Sequence, residues 1–474
     1  MNSFPHCQVN PMRDECELPI YKLASGIESR NLSPVEITRA YLKRIDTLND
    51  KLHAYITVTA EQAMTDAKQA ETEIMSGDYR GALHGIPIGL KDLFDTAGIL
   101  TTSASRVHAD RVPARDADVV TRLRRAGMVL LGKLMMHEFA TAIPMPDDLF
   151  PAAKNPWDPE RTAGGSSSGS ASALIAGMCA GALGTDTGGS IRGPASFCGI
   201  VGLKPTYNLV SRKGVIPLSW SLDHVGPMAR TVKDCAILLD TISNACVDPG
   251  SVRSFTANLN GCVRGLRIGV PYEELDSDKT IAADIRRAFD ESLVRFKDLG
   301  AKIYSVDLPP IVEEVGGIYG VITSSEAFAY HQRSLVARQK EFGRGFRHRQ
   351  GLVYTAVDLV QAQRARAALC VQMAQAMTEV DVLASPTTSQ TAPTLASMAV
   401  GETSPKGRIP TNIFNLTGGP SISVPCGFDE HCMPIGMMLS AAPGQDSVVL
   451  RAGDAYERET SWHEQIPSLV KALI

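Results

Sequence analysis

The chain has 474 residues, and its 47 Lys and Arg against 51 Asp and Glu give a formal net charge of −4. Hydrophobic residues make up 44% and charged residues 21%, which is ordinary for a globular protein and excludes a disordered or fibrous chain. The near-neutral charge also excludes a strongly basic nucleic-acid-binding protein, since binding phosphates needs clustered Lys and Arg.

The cysteines and the N-terminal segment predict the cellular compartment. The ten cysteines are scattered and form no CxxC pair, which is typical of reduced thiols in a cytoplasmic protein. The segment MNSFPHCQVNPMRDECE has proline and charges where a signal peptide needs an apolar run. The near-uncharged stretch 171–184 is too short to span a bilayer. We therefore expect a cytoplasmic protein without a membrane contact.

The first part of the chain, residues 1–80, is predicted to be helical. A helix is expected over 33–52, with Ser33 as N-cap and Pro34 at the first helical position, and a second over Glu61–Met75. From His84 the hydrophobic pattern of the sequence changes, because GIPIGLKD is typical of a buried strand that leads into a loop. A helix ending near Gly127 and the strand MVLLGKL follow.

Helices and strands continue to alternate up to the C-terminus. Helices are predicted from Thr231, over Asp284–Leu299, through most of 311–380 and over Asp446–Thr460; strands are predicted over 264–272, 301–309, 380–387, 420–428 and 434–441. This alternation favours one large α/β domain over three separable ones. Within it we distinguish N-terminal helices (1–80), a core that carries the motifs (81–240) and the remainder of the same domain (241–474).

The glycines concentrate where chemistry is expected. Residues 164–202 hold 11 of the 40 glycines, and two Gly-Ser clusters flank a small-residue stretch, Ala171–Ala182, that is predicted to pack as a buried helix. In the second cluster Ser190 follows two glycines, which allow backbone N–H groups to converge on an oxyanion. Lys91 lies upstream in the apolar strand, either as a structural cation paired with Asp92 or Asp95 or as a base whose pKa is lowered by burial.

These segments resemble the amidase signature family of serine hydrolases. The resemblance lies in GIPIGLKD, GGSSSGS and GTDTGGSIRGP, and it extends through SFCGIVGLKPT, SLDHVGPMART, VDVLASPTT and NLTGGPSISVPCGF, which covers nearly all of the chain. It implies a single large α/β domain with a mixed β-sheet core and helices on both faces. It also implies hydrolysis of carbon–nitrogen bonds other than peptide bonds, through an acyl-enzyme and without a cofactor or a metal.

The same resemblance implies a Ser-cisSer-Lys triad. By motif position the nucleophile is Ser190, the bridging serine is Ser166 on a cis peptide after Gly165, and the general base is Lys91. Other residues have supporting roles: backbone N–H groups of Thr187, Gly188, Gly189 and Ser190 as the oxyanion hole, Asp186 and Arg192 as the pair that holds the nucleophile loop, and Met136, Phe139, Thr141 and Ile143 as a substrate-pocket wall.

Two other interpretations stay in view. The stretch Gly165–Gly169 formally fits the GxSxG motif of Ser-His-Asp hydrolases, but a Pro-rich loop precedes it where that motif needs a strand. The second alternative is a catalytically inactive binding protein, and the intact triad positions argue against it. A basic cluster between Arg333 and Arg349 is interpreted as a solvated helix face rather than an anion site.

The expected substrate is a small amide or carbamate. Free-standing members of the resembled family act on such compounds, and we expect a broad-specificity amidase with aryl amides and carbamates, as in urethanases, as leading substrates. The expected protein is a monomer or homodimer with no nucleic-acid partner. The alternative is the glutaminase-type subunit of a tRNA-dependent amidotransferase, which the C-terminal third resembles although segment 340–366 lacks a Gly-Tyr-Tyr-rich helix.

Overall fold

One mixed β-sheet runs through the protein. The computed structural model describes residues 14–141, 143–244, 254–346, 348–400 and 411–472. Its strands are β1 (Tyr55–Val58), β2 (Pro87–Lys91), β3 (Val129–Leu134), β4 (Gly181–Asp186), β5 (Val201–Lys204), β6 (His224–Ala229), β7 (Arg267–Val270), β8 (Lys302–Ser305), β9 (Val382–Pro386), β10 (Ser421–Phe428) and β11 (Pro434–Ser440). Their order across the sheet is β1-β3-β2-β4-β6-β5-β10-β11-β9-β7-β8.

The sheet combines parallel and antiparallel pairs. Strand β2 is parallel to both β3 and β4, and β7 is parallel to both β8 and β9. Between these two parallel regions, β6, β5, β10 and β11 pair with their neighbours in antiparallel fashion. Since strands from every part of the chain belong to this one sheet, the prediction of a single large α/β domain is confirmed.

Fifteen α-helices of the described residues surround the sheet. They are α1 (Ile20–Glu28), α2 (Pro34–Leu52), α3 (Ala60–Met75), α4 (Asp118–Arg125), α5 (Ser168–Ile175), α6 (Arg192–Cys198), α7 (Val232–Ile242), α8 (Tyr272–Ser277), α9 (Ala283–Asp298), α10 (Val315–Ala337), α11 (Ala356–Ala376), α12 (Leu395–Ala399), α13 (Ile413–Leu416), α14 (Asp446–Arg458) and α15 (Ser468–Lys471). The predicted N-cap of α2 is present, because the Ser33 hydroxyl accepts a hydrogen bond from the Glu36 amide at 3.2 Å.

Helices cover both faces of the sheet, as β10 and its neighbour β11 demonstrate. Ile422 and Val424 point to one face, where they approach Gly453 of α14. Ser423, between them, points to the other face, where it and Ser196 of α6 both approach Gly436 of β11. Because alternate residues of a strand face opposite sides, α14 and α6 lie on opposite faces of the sheet. Among the described helices, none is long and apolar enough to cross a membrane.

The structure differs from the predicted elements between the two Gly-Ser clusters. The predicted helix 171–182 is instead α5, which ends at Ile175, followed by β4 from Gly181. Gly177 has a positive φ of 67°, a conformation that ends a helix and that glycine adopts without strain. The central strand β6 was not predicted, because Gly226 and Pro227 within it are residues that usually argue against a strand.

Candidate active site

Lys91 lies at the carboxyl end of β2, where the sheet is fully buried. Its side chain has no solvent exposure, and Nζ donates hydrogen bonds of 2.8 Å to both Ser166 Oγ and Thr185 Oγ1. Thr185 is on β4, the strand next to β2, and Ser166 precedes α5. Neither predicted carboxylate pairs with Lys91, because Asp92 lies 3.8 Å from Lys133 and Asp95 binds Arg111.

Burial lowers the pKa of Lys91 to about 7. Desolvation is the main cause, and the negative charges of Asp186 and Asp223 oppose it by favouring the ammonium form. A lysine in this environment exchanges a proton near neutral pH, which an ordinary lysine does not. The geometry therefore places a titratable amine within hydrogen-bonding distance of the Ser166 hydroxyl.

The peptide bond between Gly165 and Ser166 is cis. Ser166 is 2% exposed, and its carbonyl oxygen accepts a hydrogen bond from the His137 amide at 3.1 Å. A Cβ on Gly165 would overlap the imidazole of His137, so this position accepts only glycine while His137 stays in place. The segment around Ser166 is thereby fixed between β2, β4 and His137.

The turn from Asp186 to Ser190 connects β4 to α6. Its anchor is Asp186, whose carboxylate accepts hydrogen bonds of 3.0 and 2.9 Å from the buried Arg192 guanidinium and one of 2.9 Å from the Asn415 amide. These partners lower the pKa of Asp186 strongly although burial alone would raise it. The predicted Asp186–Arg192 pair is therefore present and holds the turn that carries Ser190.

The backbone N–H groups of this turn do not all have the predicted direction. The Gly189 amide donates to Asp186 Oδ1 at 2.7 Å, so it is occupied and does not fit the predicted role of oxyanion donor. The Asp186 carboxylate accepts this hydrogen bond because a carboxylate next to a tight turn lies close to the backbone amides that follow it. Thr187, Gly188 and Ser190 stay predicted donors.

Two residues at the turn were missed by the sequence analysis. Thr185 binds Lys91, and Tyr319 of α10 packs against Gly188, where a Cβ would lie 2.7 Å from the phenol oxygen. Thr185 belongs to the quoted motif GTDTGGS, so its position next to the turn that carries Ser190 could have indicated it. Tyr319 has no comparable signal, because it reaches the turn from a helix more than a hundred residues away.

A cavity of about 350 Å³ lies beside the turn. It is bounded by Thr185 and Thr187 at the turn and by an apolar and aromatic wall that includes Ala140, Val215, Ile216, Leu218, Trp220 and Tyr330. The predicted wall residues Met136, Phe139, Thr141 and Ile143 do not line this cavity. Their role stays a prediction.

Two of those four residues are held by other contacts. Phe139 is 1% exposed and turns into a cluster of aromatic rings with His331, Phe342 and Phe346, while the Thr141 hydroxyl binds His348. The basic segment nearby contains ion pairs, since Arg344 binds Asp147 at 2.8 Å.

Comparison with known proteins identifies the family. The family model for amidases matches residues 36–450. The chain is 38% identical to a glutamyl-tRNA(Gln) amidotransferase subunit of Geotalea daltonii, over 96% of this chain and 99% of that protein. A crystal structure of an amidase superposes with a TM-score of 0.83 at 32% identity, covering 93% of this chain and all of that one.

A second solved structure is also similar over nearly its whole length. The corresponding glutamyl-tRNA(Gln) amidotransferase subunit of Thermotoga maritima superposes with a TM-score of 0.78 at 31% identity, covering 94% of this chain and 96% of that one. The chain belongs to the amidase family, so the resemblance seen in the sequence is confirmed. It is an enzyme of the group that hydrolyses carbon–nitrogen bonds of amides.

The expectation about partners was wrong. We expected a monomer or homodimer with a small amide or carbamate and no nucleic acid, whereas several relatives that match nearly the whole chain are subunits named for an activity on glutamyl-tRNA(Gln). The exclusion of nucleic acid rested on net charge, which reflects the phosphate affinity of the chain as a whole. A protein whose partners contact the nucleic acid needs no basic surface of its own.

Proposed function

We propose that the chain hydrolyses a carboxamide through an acyl-enzyme on Ser190, with Ser166 as the proton bridge and Lys91 as the general base. The observation that carries this proposal is the 2.8 Å hydrogen bond from Lys91 Nζ to the Ser166 hydroxyl, in a fully buried position beside the turn that bears Ser190. A serine hydroxyl is a weak nucleophile unless a base removes its proton. A buried amine with a pKa near 7 is suited to that task.

The proposed reaction has two halves. Neutral Lys91 accepts a proton from Ser166 while Ser166 accepts the proton of Ser190, and Ser190 Oγ adds to the amide carbon. The oxyanion is stabilised by the backbone N–H groups of Thr187, Gly188 and Ser190. The tetrahedral intermediate then breaks its C–N bond, and the leaving nitrogen takes the proton held by Lys91.

Water completes the cycle. It attacks the acyl-enzyme and loses a proton along the same path, which frees the carboxylic acid and restores the Ser190 hydroxyl. The products are one carboxylic acid, which releases its proton to solvent, and one amine or ammonia, and the enzyme returns with neutral Lys91.

For the substrate, we propose the carboxamide of glutamine, hydrolysed by this chain as the glutaminase-type subunit of a tRNA-dependent amidotransferase. Support comes from relatives 36–38% identical over 92–96% of this chain, all named as the same subunit of glutamyl-tRNA(Gln) amidotransferase. In such an assembly the released ammonia is used by a partner and does not leave as product.

A second candidate is a hydrolase of apolar amides, aryl amides or carbamates, favoured by the lining of the cavity. The Asp223 carboxylate accepts hydrogen bonds from Thr187, Leu218 and Ser219, and the Arg212 guanidinium donates to Asn208 and to the Trp220 carbonyl. The charged groups that line the described cavity are therefore engaged with the protein. An apolar acyl or aryl group fits the remaining wall of Val215, Ile216 and Trp220.

One substrate panel separates the two candidates. Purified chain, alone and with any proteins that co-purify with it, is assayed for ammonia release from glutamine, for transfer to glutamyl-tRNA and for cleavage of a chromogenic anilide and an aryl carbamate. Glutamine-dependent transfer in the presence of a partner supports the amidotransferase proposal. Rapid anilide or carbamate cleavage by the chain alone, with no turnover of glutamine in either sample, contradicts it and favours the second candidate.

The triad is tested on whichever substrate is turned over. Ser190→Ala removes the nucleophile and is expected to abolish turnover, since residues that act as one unit lose nearly everything together. Ser166→Ala is expected to lower turnover nearly as much. Correct folding of each variant is checked by circular dichroism and thermal unfolding. Turnover by Ser190→Ala at the wild-type rate would refute the mechanism.

A further inference from the structure

The wall of the cavity includes a short segment that ends at β6. We call residues 217–223 the pocket-wall segment; Pro217, Leu218, Trp220 and Asp223 of this segment all line the cavity. Asp223 is its last residue and is 8% exposed. Because β6 pairs with β4 so that His224 lies opposite Asp186, Asp223 lies across from the start of the nucleophile turn.

The Asp223 carboxylate joins the pocket-wall segment to that turn. Its Oδ2 accepts the amides of Leu218 at 2.9 Å and Ser219 at 3.0 Å, which closes the segment on itself. Its Oδ1 accepts the hydroxyl of Thr187 at 2.6 Å. One buried carboxylate thus makes contact with the wall on one side and with the turn on the other.

The pocket-wall segment is also anchored from its outer side. Glu326 of α10 accepts the Ser219 hydroxyl at 2.5 Å and the Ser221 amide at 3.0 Å, and Arg366 of α11 donates to the Ser221 carbonyl at 3.0 Å. The position of the wall therefore depends on two helices as well as on Asp223. The Asp223–Thr187 bond therefore joins an anchored wall to a turn that Asp186 anchors at its other side, and it fixes Thr187 relative to the cavity.

We infer that Asp223 is a positioning residue of the reaction. It holds Thr187, and with it the turn 186–190, in a fixed position relative to the cavity that receives the substrate. The inference rests on the proposed function, because it presumes that the turn bears the nucleophile. Oxyanion donors act only when they lie about 2.7–3.1 Å from the developing negative charge. Displacement of the turn therefore lowers kcat more than it lowers the affinity for substrate.

The charge of Asp223 gives a second effect. Burial raises the pKa of Asp223 to about 6, so the carboxylate is mostly ionised at neutral pH. Asp186 and Asp223 are the carboxylates that favour the ammonium form of Lys91, and Asp186 is already paired with Arg192. Removing the charge of Asp223 should therefore lower the pKa of Lys91.

Three variants test the inference on the intact chain with a substrate that is turned over. Thr187→Val removes the hydroxyl and leaves the bonds of Asp223 to the wall, while Thr187→Ser keeps the donor. Asp223→Asn keeps the shape and removes the charge. We expect Thr187→Val and Asp223→Asn each to lower kcat about 10- to 100-fold, with KM changed less than about threefold; this loss is smaller than the roughly 10²–10³-fold loss on removing an oxyanion donor, because the donors are displaced and not removed. Thr187→Ser should restore most of the activity.

The double variant decides whether the two residues act together. If Asp223 acts through Thr187, Thr187→Val with Asp223→Asn should lose little more kcat than the worse single variant. The acid limb of the pH–rate profile should move to lower pH in Asp223→Asn and stay in place in Thr187→Val. Multiplicative losses in the double variant, or full kcat in a folded Thr187→Val, would overturn the inference.

Failure of this inference is distinct from failure of the proposed function. If Ser190→Ala is inactive and the two losses multiply, the triad stands and Asp223 acts on its own. If Ser190→Ala is active, the proposed function has failed whatever Asp223 does. Thermal unfolding of each variant separates a loss of folded protein from a loss of rate.

Discussion

Two fully buried lysines lie side by side in this sheet and differ in what surrounds them. Lys91 on β2 is one residue past Leu90, whose partner across the β2–β3 ladder is Lys133. Since alternate residues face opposite sides, the two side chains point to opposite faces of the sheet. Neither side chain is exposed, and burial lowers the pKa of both, to about 7 for Lys91 and about 8 for Lys133.

Their partners differ in kind. Lys133 donates to the Phe94 carbonyl at 2.5 Å and to the Thr101 hydroxyl at 2.7 Å, and its ammonium lies 3.8 Å from Asp92. Lys91 has the hydroxyls of Ser166 and Thr185 at 2.8 Å and the Thr185 carbonyl at 3.5 Å, and within the described part of the chain it forms no ion pair with a carboxylate. A nearby carboxylate favours a cation, whereas hydroxyl and carbonyl oxygens also accept from an amine that has lost its proton. Burial alone therefore does not distinguish a base from a structural cation; the partners do.

The largest expected effect separates the two lysines by turnover. Lys91→Met should lower kcat by about 10³-fold or more, because general-base catalysis is worth about 10²–10⁴-fold and the triad acts as one unit. Lys133→Met should leave kcat per folded molecule nearly unchanged. It should instead lower the free energy of unfolding by about 3–5 kcal/mol, because the Asp92 carboxylate stays buried without its counter-ion.

Turnover and thermal unfolding of both variants check this prediction. Removing Lys91 strands no carboxylate, since Asp186 keeps Arg192 and Asp223 keeps its hydrogen bonds from Thr187, Leu218 and Ser219, so Lys91→Met should be at least as stable as the wild type. Active Lys91→Met, or Lys133→Met that is folded and inactive, would reverse the assignment of the two roles.

The next effect is on the pH dependence of the wild-type rate. The base must be neutral to act, so kcat/KM should rise with pH through about 7, the lowered pKa of Lys91. Below about pH 7, kcat/KM should fall about tenfold for each pH unit, because the neutral fraction of Lys91 falls by that factor. The measurement is kcat/KM from pH 5 to 9 with a substrate that does not ionise. A flat profile down to pH 5, with chemistry rate-limiting, would contradict a lysine base.

The sequence motifs contain the three residues of the proposed triad, and the contact between Lys91 and Ser166 came from the fold. Lys91, Ser166 and Ser190 were predicted because each lies in a segment with a distinctive local sequence. Local sequence also predicted the lowered pKa of Lys91 as one of two possibilities. It did not decide between them, because the ion-pair partners of Asp92 and Asp95 lie on other parts of the chain.

What sequence reasoning missed has a common physical cause. Tyr319 and Asp223 reach the turn from elements that are distant in sequence, and a single sequence does not report such contacts. The direction of the Gly189 amide was missed for another reason. Glycines permit a turn to bring N–H groups together, but the neighbouring carboxylate of Asp186 decides which of them is used internally.

A moderate effect is expected from the hydroxyl partners of the two lysines. Thr185→Val removes an acceptor of Lys91 and should lower kcat about tenfold or less, together with a loss of about 1 kcal/mol in the free energy of unfolding, the value of one hydrogen bond. Thr101→Val removes the corresponding acceptor of Lys133 and should lower the free energy of unfolding by about 1 kcal/mol with kcat unchanged. Equal effects of both variants on kcat would show that the two environments are not distinct.

The smallest expected effect on turnover is that of Asp92→Asn. Asp92 is adjacent to Lys91 in sequence, yet its carboxylate belongs to the other face, where it accepts from Thr102 and lies near Lys133. It is not among the charges that shift the pKa of Lys91, which are those of Asp186 and Asp223. Asp92→Asn should therefore leave the acid limb of the pH–rate profile in place and lower only the melting temperature.

Asp223→Asn is the matched control for that last variant. It removes the same charge by the same substitution, but from a carboxylate that does act on Lys91, so its acid limb should move to lower pH. A shift of equal size in Asp92→Asn would mean that the sheet does not isolate its two faces electrostatically. Lys91 would then titrate together with the Asp92–Lys133 pair, and its pKa could not be assigned to its own face of the sheet alone.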